Sequence, residues 1–318
     1  DFQGIAAGSG NSNFFISLEQ GEYVLTLIER GPRQDLPFFI ELLDVLHRAG
    51  LPVPYALRTE QGEALRELAE KPALLQPRLP GKHVVEPNPH HCAEVGRLLA
   101  RLHLATRDHI LERASDRGLD WMQEQGPSLA LSLPEDQLPL LRDGLAEIAE
   151  LRPKLLALPR ANLHADLFRD NVLFDGNHLA GVIDFYNACS GPMLYDLAIT
   201  LNDWCSAADQ RLDGPRAQAL LDQAGDGDRV PLQALGRVDG HQLHGIHALL
   251  GLAIAGFQRG MSQEGRQRRD LHHGRGIGRQ HGAIRSSGQR GARRGARQAR
   301  AGRRGGIDAA FGLEGQRC

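Results

Sequence analysis

The chain of 318 residues is poor in features that would place it in several common classes. It has four cysteines, Cys92, Cys189, Cys205 and Cys318, and no two stand as C-x-x-C. That argues against a disulfide scaffold or a zinc knuckle and reads as a reduced thiol set in a cytoplasmic protein. No apolar run reaches the ~18 residues of a membrane-spanning helix, and no secretory leader is visible, so no membrane partner is expected. An excess of one charge is also lacking. Thirty-seven basic residues stand against 39 acidic ones, a formal net charge of −2, which gives the whole chain no bias toward nucleic acid or lipid. The chain opens at Asp1 with no Met and reads as missing its first residues. Lysine is absent after Lys154. What is present is a hydrophobic share of 41%, enough for a globular chain that can hold two lobes.

The most informative stretch is 161–187. His164 and Asp166 form H-x-D, Asn171 follows five residues later, and Asp184 ends the apolar run Leu179 to Ile183. Val172 to Phe174 reads as a short buried strand and Asp175-Gly176 as a hairpin turn, with Leu179 to Ile183 returning. A hairpin joins its own ends, so Asn171 and Asp184 should be neighbours, with Asp166 on the loop before them. Phosphoryl transfer from ATP needs such a trio. One carboxylate accepts the proton of the attacking hydroxyl, while an Asn and an Asp hold Mg²⁺ through hard oxygen ligands. Any one of these acids alone reads better as a solvated turn cap. The combined spacing is what points to chemistry.

H-x-D-x-x-x-x-N followed by I-D-F resembles the aminoglycoside phosphotransferase and choline kinase group, the small-molecule branch of the protein-kinase-like fold. Three segments are similar in detail to the homoserine kinases of that fold: H-A-D-L-F-R-D-N-V-L-F, D-F-Y-N-A-C and L-Y-D-L-A-I-T-L-N-D-W-C. The resemblance runs from residue 1 to about residue 225. It implies an α+β, two-lobed fold with a small β-rich lobe (1–79) and a larger, mainly helical lobe (80–230). It implies transfer from ATP, with Mg²⁺, to the hydroxyl of L-homoserine in threonine biosynthesis. Asp166 would be the base, and Asn171 and Asp184 the metal ligands.

Along the chain, residues 2 to 28 read as a β-meander whose third strand, from Tyr23, is buried on both faces. Between the first two strands, Gly4 to Asn13 offers small residues whose backbone could cover phosphates, with Gly8, Asn11, Ser12 and Asn13 as candidate contacts. A tight turn explains the same residues when they are taken alone. Thr26 stands where kinases usually place a phosphate-directed Lys. Arg30 could supply a cation or form a surface ion pair with Glu29 or Asp35. Residues 35–48 should form an amphipathic helix, with Glu41 either inward-facing or solvated, and Gly50 ends it. A strand over Pro72 to Leu79 leads into a hinge at Pro80-Gly81, with Gln76 and Arg78 as exposed candidates to meet adenine. Val95, Leu98, Leu99 and Leu102 mark a helix, and His103 reads as a core histidine. Residues 107–127 read as a polar connection holding Trp121 near the acceptor, and 134–157 as a helical pair or one broken helix. His164 should orient the loop. Arg169 could stabilise phosphate charge, bind the acceptor carboxylate or pair with Asp166 or Asp170. On a helix over 194–205, Asp196 should hold the catalytic loop backbone, and Asp203 is a candidate for the acceptor ammonium.

Beyond about residue 230 the composition changes, and from Phe257 on nearly half the residues are Arg or Gly. Such a segment resists forming a core. Residues 231–318 read as an aberrant tail, which a frameshift near 225–232 in a GC-rich gene would explain. A functional tail would instead bind RNA, or hold a metal at His241, His244 and His247. For the chain as a whole, the same motifs would also fit a kinase of choline, an aminoglycoside or methylthioribose, and the odd tail would fit an inactive fragment.

Overall fold

The structure, a computed structural model, describes residues 1–5, 11–29, 31–207 and 211–225. Gly8, Arg30, the histidines 241, 244 and 247, and the Arg/Gly-rich segment lie outside the described residues. The described chain forms two compact units, Asp1–Gly31 with Ala56–Pro77, and Pro32–Tyr55 with the described residues from Arg78 onward. This division differs from a cut at residue 79, because segment 32–55 joins the second unit.

The first unit is an antiparallel sheet of β1 (Phe2–Ile5), β2 (Ser12–Leu18), β3 (Gly21–Leu27), β4 (Arg66–Leu68) and β5 (Lys71–Pro77), in the order β1-β2-β3-β5-β4. The meander arises because Gly21, at φ 150°, turns the chain directly from β2 into β3. Pairing of Phe14 with Leu25 and of Leu25 with Leu75 lines up one face. On it Ile16, Leu25, Ala73 and Leu75 form the core, with Phe14, Tyr23 and Leu27 packed against them. Asn13 pairs with Thr26, and Thr26 with Leu74, so these lie on the opposite face. Thr26 is buried on that face, so β3 is covered on both sides as its sequence suggests.

The second unit contains α1 (Leu36–Arg48), α2 (Pro89–Thr106), α3 (Leu119–Leu129) and α4 (Leu138–Leu156). Three short strand elements follow: β6 (Arg160–Leu163), the hairpin β7 (Val172–Asp175) with β8 (His178–Val182), and β9 (Cys189–Pro192), which pairs with β6. Helices α5 (Met193–Cys205) and α6 (Gly214–Gly225) complete the described part. Helix α1 ends where Gly50 takes φ 75°, and its Glu41 is exposed, which settles the two readings of that acid in favour of solvation. Segment 134–157 is a 3-10 turn (Glu135–Gln137) running into α4, one helix and not a pair. Asn88 caps α2, accepting from His91 N at 3.0 Å while His91 Nδ1 accepts from Asn88 N, a reciprocal capping box. Val95, Leu98, Leu99 and Leu102 are all buried along α2. The α2–α6 contact depends on Gly96, where an added Cβ would sit 2.2 Å from the Leu220 carbonyl oxygen.

Candidate active site

The loop between β6 and β7 carries the H-x-D segment, and the fold immobilises it from behind. Asp196, fully buried on α5, accepts from His164 N and Ala165 N, each at 2.9 Å. His103 on α2 donates from Nε2 to the same carboxylate at 3.0 Å. These donors hold the Asp196 carboxyl below the usual carboxylate range despite its burial. Ala165 takes φ 60°, a left-handed conformation that a non-glycine residue adopts only under constraint. Trp204, also from α5, donates its indole N–H to Leu167 O at 3.0 Å. Both expected background roles therefore appear in the geometry: Asp196 holds loop backbone, and His103 is a core histidine.

His164 is buried, and its Nε2 donates to Ile183 O at 3.0 Å, so it ties the loop to the end of β8. Burial keeps its imidazole neutral, lowering its pKa. Val172 pairs with Val182, and Ile183 N donates to Asn171 O at 2.9 Å. The hairpin thus closes on the residues that flank it, bringing Asn171 beside the Ile183-Asp184 step. Gly176 supplies φ 58° at the turn. Asn171 Nδ2 donates to Asp166 O at 2.8 Å and more weakly to Asp166 Oδ2 at 3.3 Å. Its amide oxygen receives no hydrogen bond among the described residues and is free to act as a ligand. Asp184 adopts φ 63°, ψ 62° at the head of a 3-10 turn, Phe185–Asn187. Burial raises its carboxyl, offset in part by nearby His164 and the Tyr186 N–H.

Asp166 is pushed up to about 7, first by burial and then by the neighbouring Asp184 carboxylate. Asn187 Nδ2 donates to its Oδ2 at 2.9 Å. Sequence reasoning missed Asn187. The available signal was its place three residues after Asp184, on a turn too short to carry it away from Asp166.

Arg169 and Asp203 come together, an ion pair that the sequence reading did not include among the partners of Arg169. Arg169 donates to Asp203 from its backbone N at 2.7 Å, from Nε at 3.1 Å and from Nη2 at 3.4 Å, and from Nη1 to Val85 O at 3.1 Å. Its partner is neither Asp166 nor Asp170. An acid satisfied in this way is poorly placed to receive an ammonium as well.

In the first unit, Thr26 Oγ1 donates to Asn13 Oδ1 at 2.7 Å, so the residue in the usual Lys position fixes a candidate phosphate contact. Asn11 Oδ1 accepts from Glu29 N at 3.0 Å. Ser12 Oγ donates to Glu29 Oε1 at 2.6 Å, and Lys71 pairs with the same oxygen at 3.0 Å. Ser12 lies opposite Leu27 on the core face, turned away from the Asn13–Thr26 face. Gln76 is 8% exposed, which corrects its reading as an exposed residue, while Arg78 is exposed.

Residues 107–127 divide into a loop and the start of α3, where Trp121 packs in a cluster with Phe168 and Tyr195 beside the catalytic loop. A cavity of about 460 Å³ lies in the second unit, lined mainly by aliphatic side chains such as Leu119, Met122, Ile148 and Leu194. Its charged rim is paired internally, Arg160 with Glu112 and Arg152 with Asp120.

Magnesium suits the oxygen donors of Asn171 and Asp184, because it is commonly held by one or two protein ligands with phosphate and water completing its shell. The free amide oxygen of Asn171 and the solvent-accessible carboxylate of Asp184 meet that requirement. The described residues contain no cluster of three or more His, Cys, Asp or Glu side chains that would form a protein-only metal cage.

Comparison with known proteins gives concordant results. A family model described as the phosphotransferase enzyme family matches residues 1–235. A homoserine kinase of Pseudomonas aeruginosa (strain UCBPP-PA14) is 72% identical over 235 residues, covering 74% of each chain. A homoserine kinase of Methylobacillus flagellatus is 43% identical over 222 residues, 70% of this chain and 69% of its own. Among solved structures, the amicoumacin kinase hAmiN in complex with AMP-PNP, Ca²⁺ and Ami superposes with a TM-score of 0.61 at 19% identity, covering 80% of each chain. A choline/ethanolamine kinase family protein from Mesorhizobium loti gives a TM-score of 0.55 at 19% identity, covering 82% of this chain and 81% of its own.

Proposed function

The chain belongs to the phosphotransferase enzyme family, with its α+β protein-kinase-like fold, and from that premise we propose that it phosphorylates L-homoserine at the expense of ATP, giving O-phospho-L-homoserine. The observation that carries the acceptor is the 72% identity to a homoserine kinase over 235 residues. The reaction would serve threonine biosynthesis in the cytoplasm. Among the described residues, no helix is long and apolar enough to cross a membrane.

In this reading Asp166 is the general base. Burial raises its affinity for a proton to about 7, which suits a base that must take a hydroxyl proton near neutrality. Asn171 and Asp184 hold Mg²⁺, which when bound neutralises phosphate charge and aligns the γ-phosphoryl group. Asn13, fixed by Thr26, and Asn11 are the described candidates to contact the phosphates. Ser12 supports that segment through Glu29 and need not touch nucleotide. Gln76 shares the Asn13–Thr26 face and borders the nucleotide. Arg169 and Asp203 act as a pair that fixes the catalytic loop, which replaces their separate roles toward phosphate and ammonium. Most of the rate enhancement then comes from positioning and charge stabilisation, with little covalent work for the protein.

The Arg/Gly-rich segment lies beyond the family match, which ends at residue 235. This supports a reading-frame change near 225–232, and resequencing the gene tests it: an uninterrupted frame would refute it. The function is tested by ADP release from ATP and Mg²⁺ with L-homoserine, L-serine, choline and kanamycin, beside Asp166→Ala. Turnover confined to L-homoserine and lost in the variant is expected. Preference for another alcohol refutes the acceptor. If the chain is silent with all four, the frame-corrected chain is assayed next, and its silence refutes the kinase reading.

A further inference from the structure

We propose that Asn187 is a positioning residue for phosphoryl transfer, fixing the Asp166 carboxylate so that Oδ1, and not Oδ2, meets the acceptor hydroxyl. The inference rests on the assignment of Asp166 as base. Asp166 Oδ2 accepts from Asn187 Nδ2 at 2.9 Å and from Asn171 Nδ2 at 3.3 Å. The Asn171 amide is shared, since its shorter bond of 2.8 Å goes to Asp166 O. Asn187 is therefore the stronger donor to the carboxylate. Among the described residues no donor reaches Oδ1. Two amides on one oxygen stop rotation of the carboxylate and leave the lone pairs of the other oxygen for the incoming proton.

The turn that presents Asn187 is braced on several sides. Ala188 N donates to Phe185 O at 2.9 Å, closing the 3-10 turn that Asp184 begins. Ala188 O accepts from Arg113 Nη1 at 2.9 Å, and the Arg113 side chain is only 8% exposed. The Phe185 ring packs on His164 at 4.5 Å, and the Tyr186 ring on Phe39 at 5.5 Å. One short turn thus carries the Asp184 carboxylate at its head and the amide that aims the base at its end. Base and metal ligand are held in register by three residues of chain. In the step itself, the acceptor hydroxyl proton passes to Asp166 Oδ1 as the hydroxyl oxygen bonds to the γ-phosphorus. The bond from that phosphorus to the bridging oxygen breaks, ADP leaves with that electron pair, and the proton later returns to solvent. An Asn is suited to this position because it donates without charge. An Asp there would add a carboxylate beside Asp166 and Asp184, and a Ser would fall short.

The test is a double-mutant cycle on the full chain, or on its frame-corrected form if only that turns over. The set is Asn187→Ala, Asp166→Ala and both together, with the near-isosteric Asn187→Asp as a second probe and thermal melts to confirm folding. Asn187→Ala should lower kcat about 10- to 100-fold, with the KM for ATP within about twofold, because a misaimed base slows chemistry and leaves nucleotide binding alone. Asn187→Asp should lose at least as much. In the Asp166→Ala background, removing Asn187 should cost nothing more. A multiplicative loss in the double variant would show that Asn187 acts elsewhere and would overturn the proposal. So would a kcat within twofold in Asn187→Ala beside a crippled Asp166→Ala, and that result leaves the kinase reading standing. Full activity in Asp166→Ala would instead remove the base assignment itself, and this proposal with it.

Discussion

Replacing Asp196 by Asn tests whether the catalytic loop is held from behind. The native carboxylate accepts from His164 N and Ala165 N at 2.9 Å and from His103 Nε2 at 3.0 Å, with no exposure to solvent. An Asn of the same shape has one acceptor oxygen and one NH₂ group. Whichever way it is turned, the NH₂ faces a backbone N–H, of either His164 or Ala165, that then has no acceptor. A buried unpaired N–H costs about 1–3 kcal/mol. The surviving bonds fall from charge-assisted to neutral strength, a loss of about 1 kcal/mol each. The sum is about 3–4 kcal/mol. At about 2–4 °C per kcal/mol for a unit of this size, the Tm should fall by roughly 10 °C. The loss falls on the two residues before Asp166, one of them at a strained φ of 60°, so kcat should drop at least tenfold at temperatures where the variant is folded. Differential scanning calorimetry and steady-state ADP release measure both. A Tm within 2 °C of the parent, with kcat unchanged, would refute the view that Asp196 anchors the loop.

Gly96→Ala would place a methyl group 2.2 Å from the Leu220 carbonyl oxygen, and forcing α2 from α6 should cost about 3 kcal/mol, read as a lower midpoint in urea. Thr26→Val keeps the shape but leaves Asn13 Oδ1 without its donor, so the KM for ATP should rise several-fold while Thr26→Ser stays near the parent; equal KM values in all three would dismiss the role of Asn13. Burial lowers the pKa of His164 below that of the unfolded chain, so the unfolded state binds its proton first as pH falls. Its contribution is intact above about pH 6.5 and is lost as pH falls from there toward the folded pKa, with a slope of at most about 1.4 kcal/mol per pH unit. Urea midpoints at pH 7.5 and 5.5 should diverge more in the parent than in His164→Asn.

The residues most legible in the sequence were those whose partners lie close along the chain. Asn171 and Asp184 could be expected near one another because Asp175-Gly176 signals a hairpin, although the register that pairs Val172 with Val182 also depends on a bulge between Leu173 and Phe174 that the turn does not encode. Helix α1 and its end at Gly50 were equally local, a matter of apolar spacing and a positive φ. What stayed illegible depended on distant partners. Arg169 and Asp203 are separated by 34 residues, and nothing in their spacing indicates that each would satisfy the other. Gln76 alternates correctly for its strand, but whether its face is covered depends on packing that a lone strand does not encode. Ser12 carried a hydroxyl suited to phosphate, and only the register with Leu27 shows that it points to the core face. Asn187 was passed over because an Asn after D-F-Y reads as a turn residue, and turn formers and hydrogen-bonding ligands are the same chemical types.

Glu41 on α1 is exposed, and Thr26 on β3 is bonded to Asn13 within the first unit. Helix α1 is anchored within the second unit at its N-terminal end. Asp35 accepts from Arg113 Nε at 2.9 Å, and the Arg113 guanidinium lies 4.9 Å from the Phe39 ring centroid. The same guanidinium donates to Ala188 O, at the end of the turn that carries Asp184 and Asn187. A kinase that orders its helix through a Lys–Glu pair makes helix position depend on that single ion pair, which can be made or broken. Here the helix start and the turn that follows Asp184 share one buried arginine with several bonds. Breaking one of them leaves the others in place. The arrangement therefore ties the start of α1 to the Ala188 carbonyl through one guanidinium within the second unit.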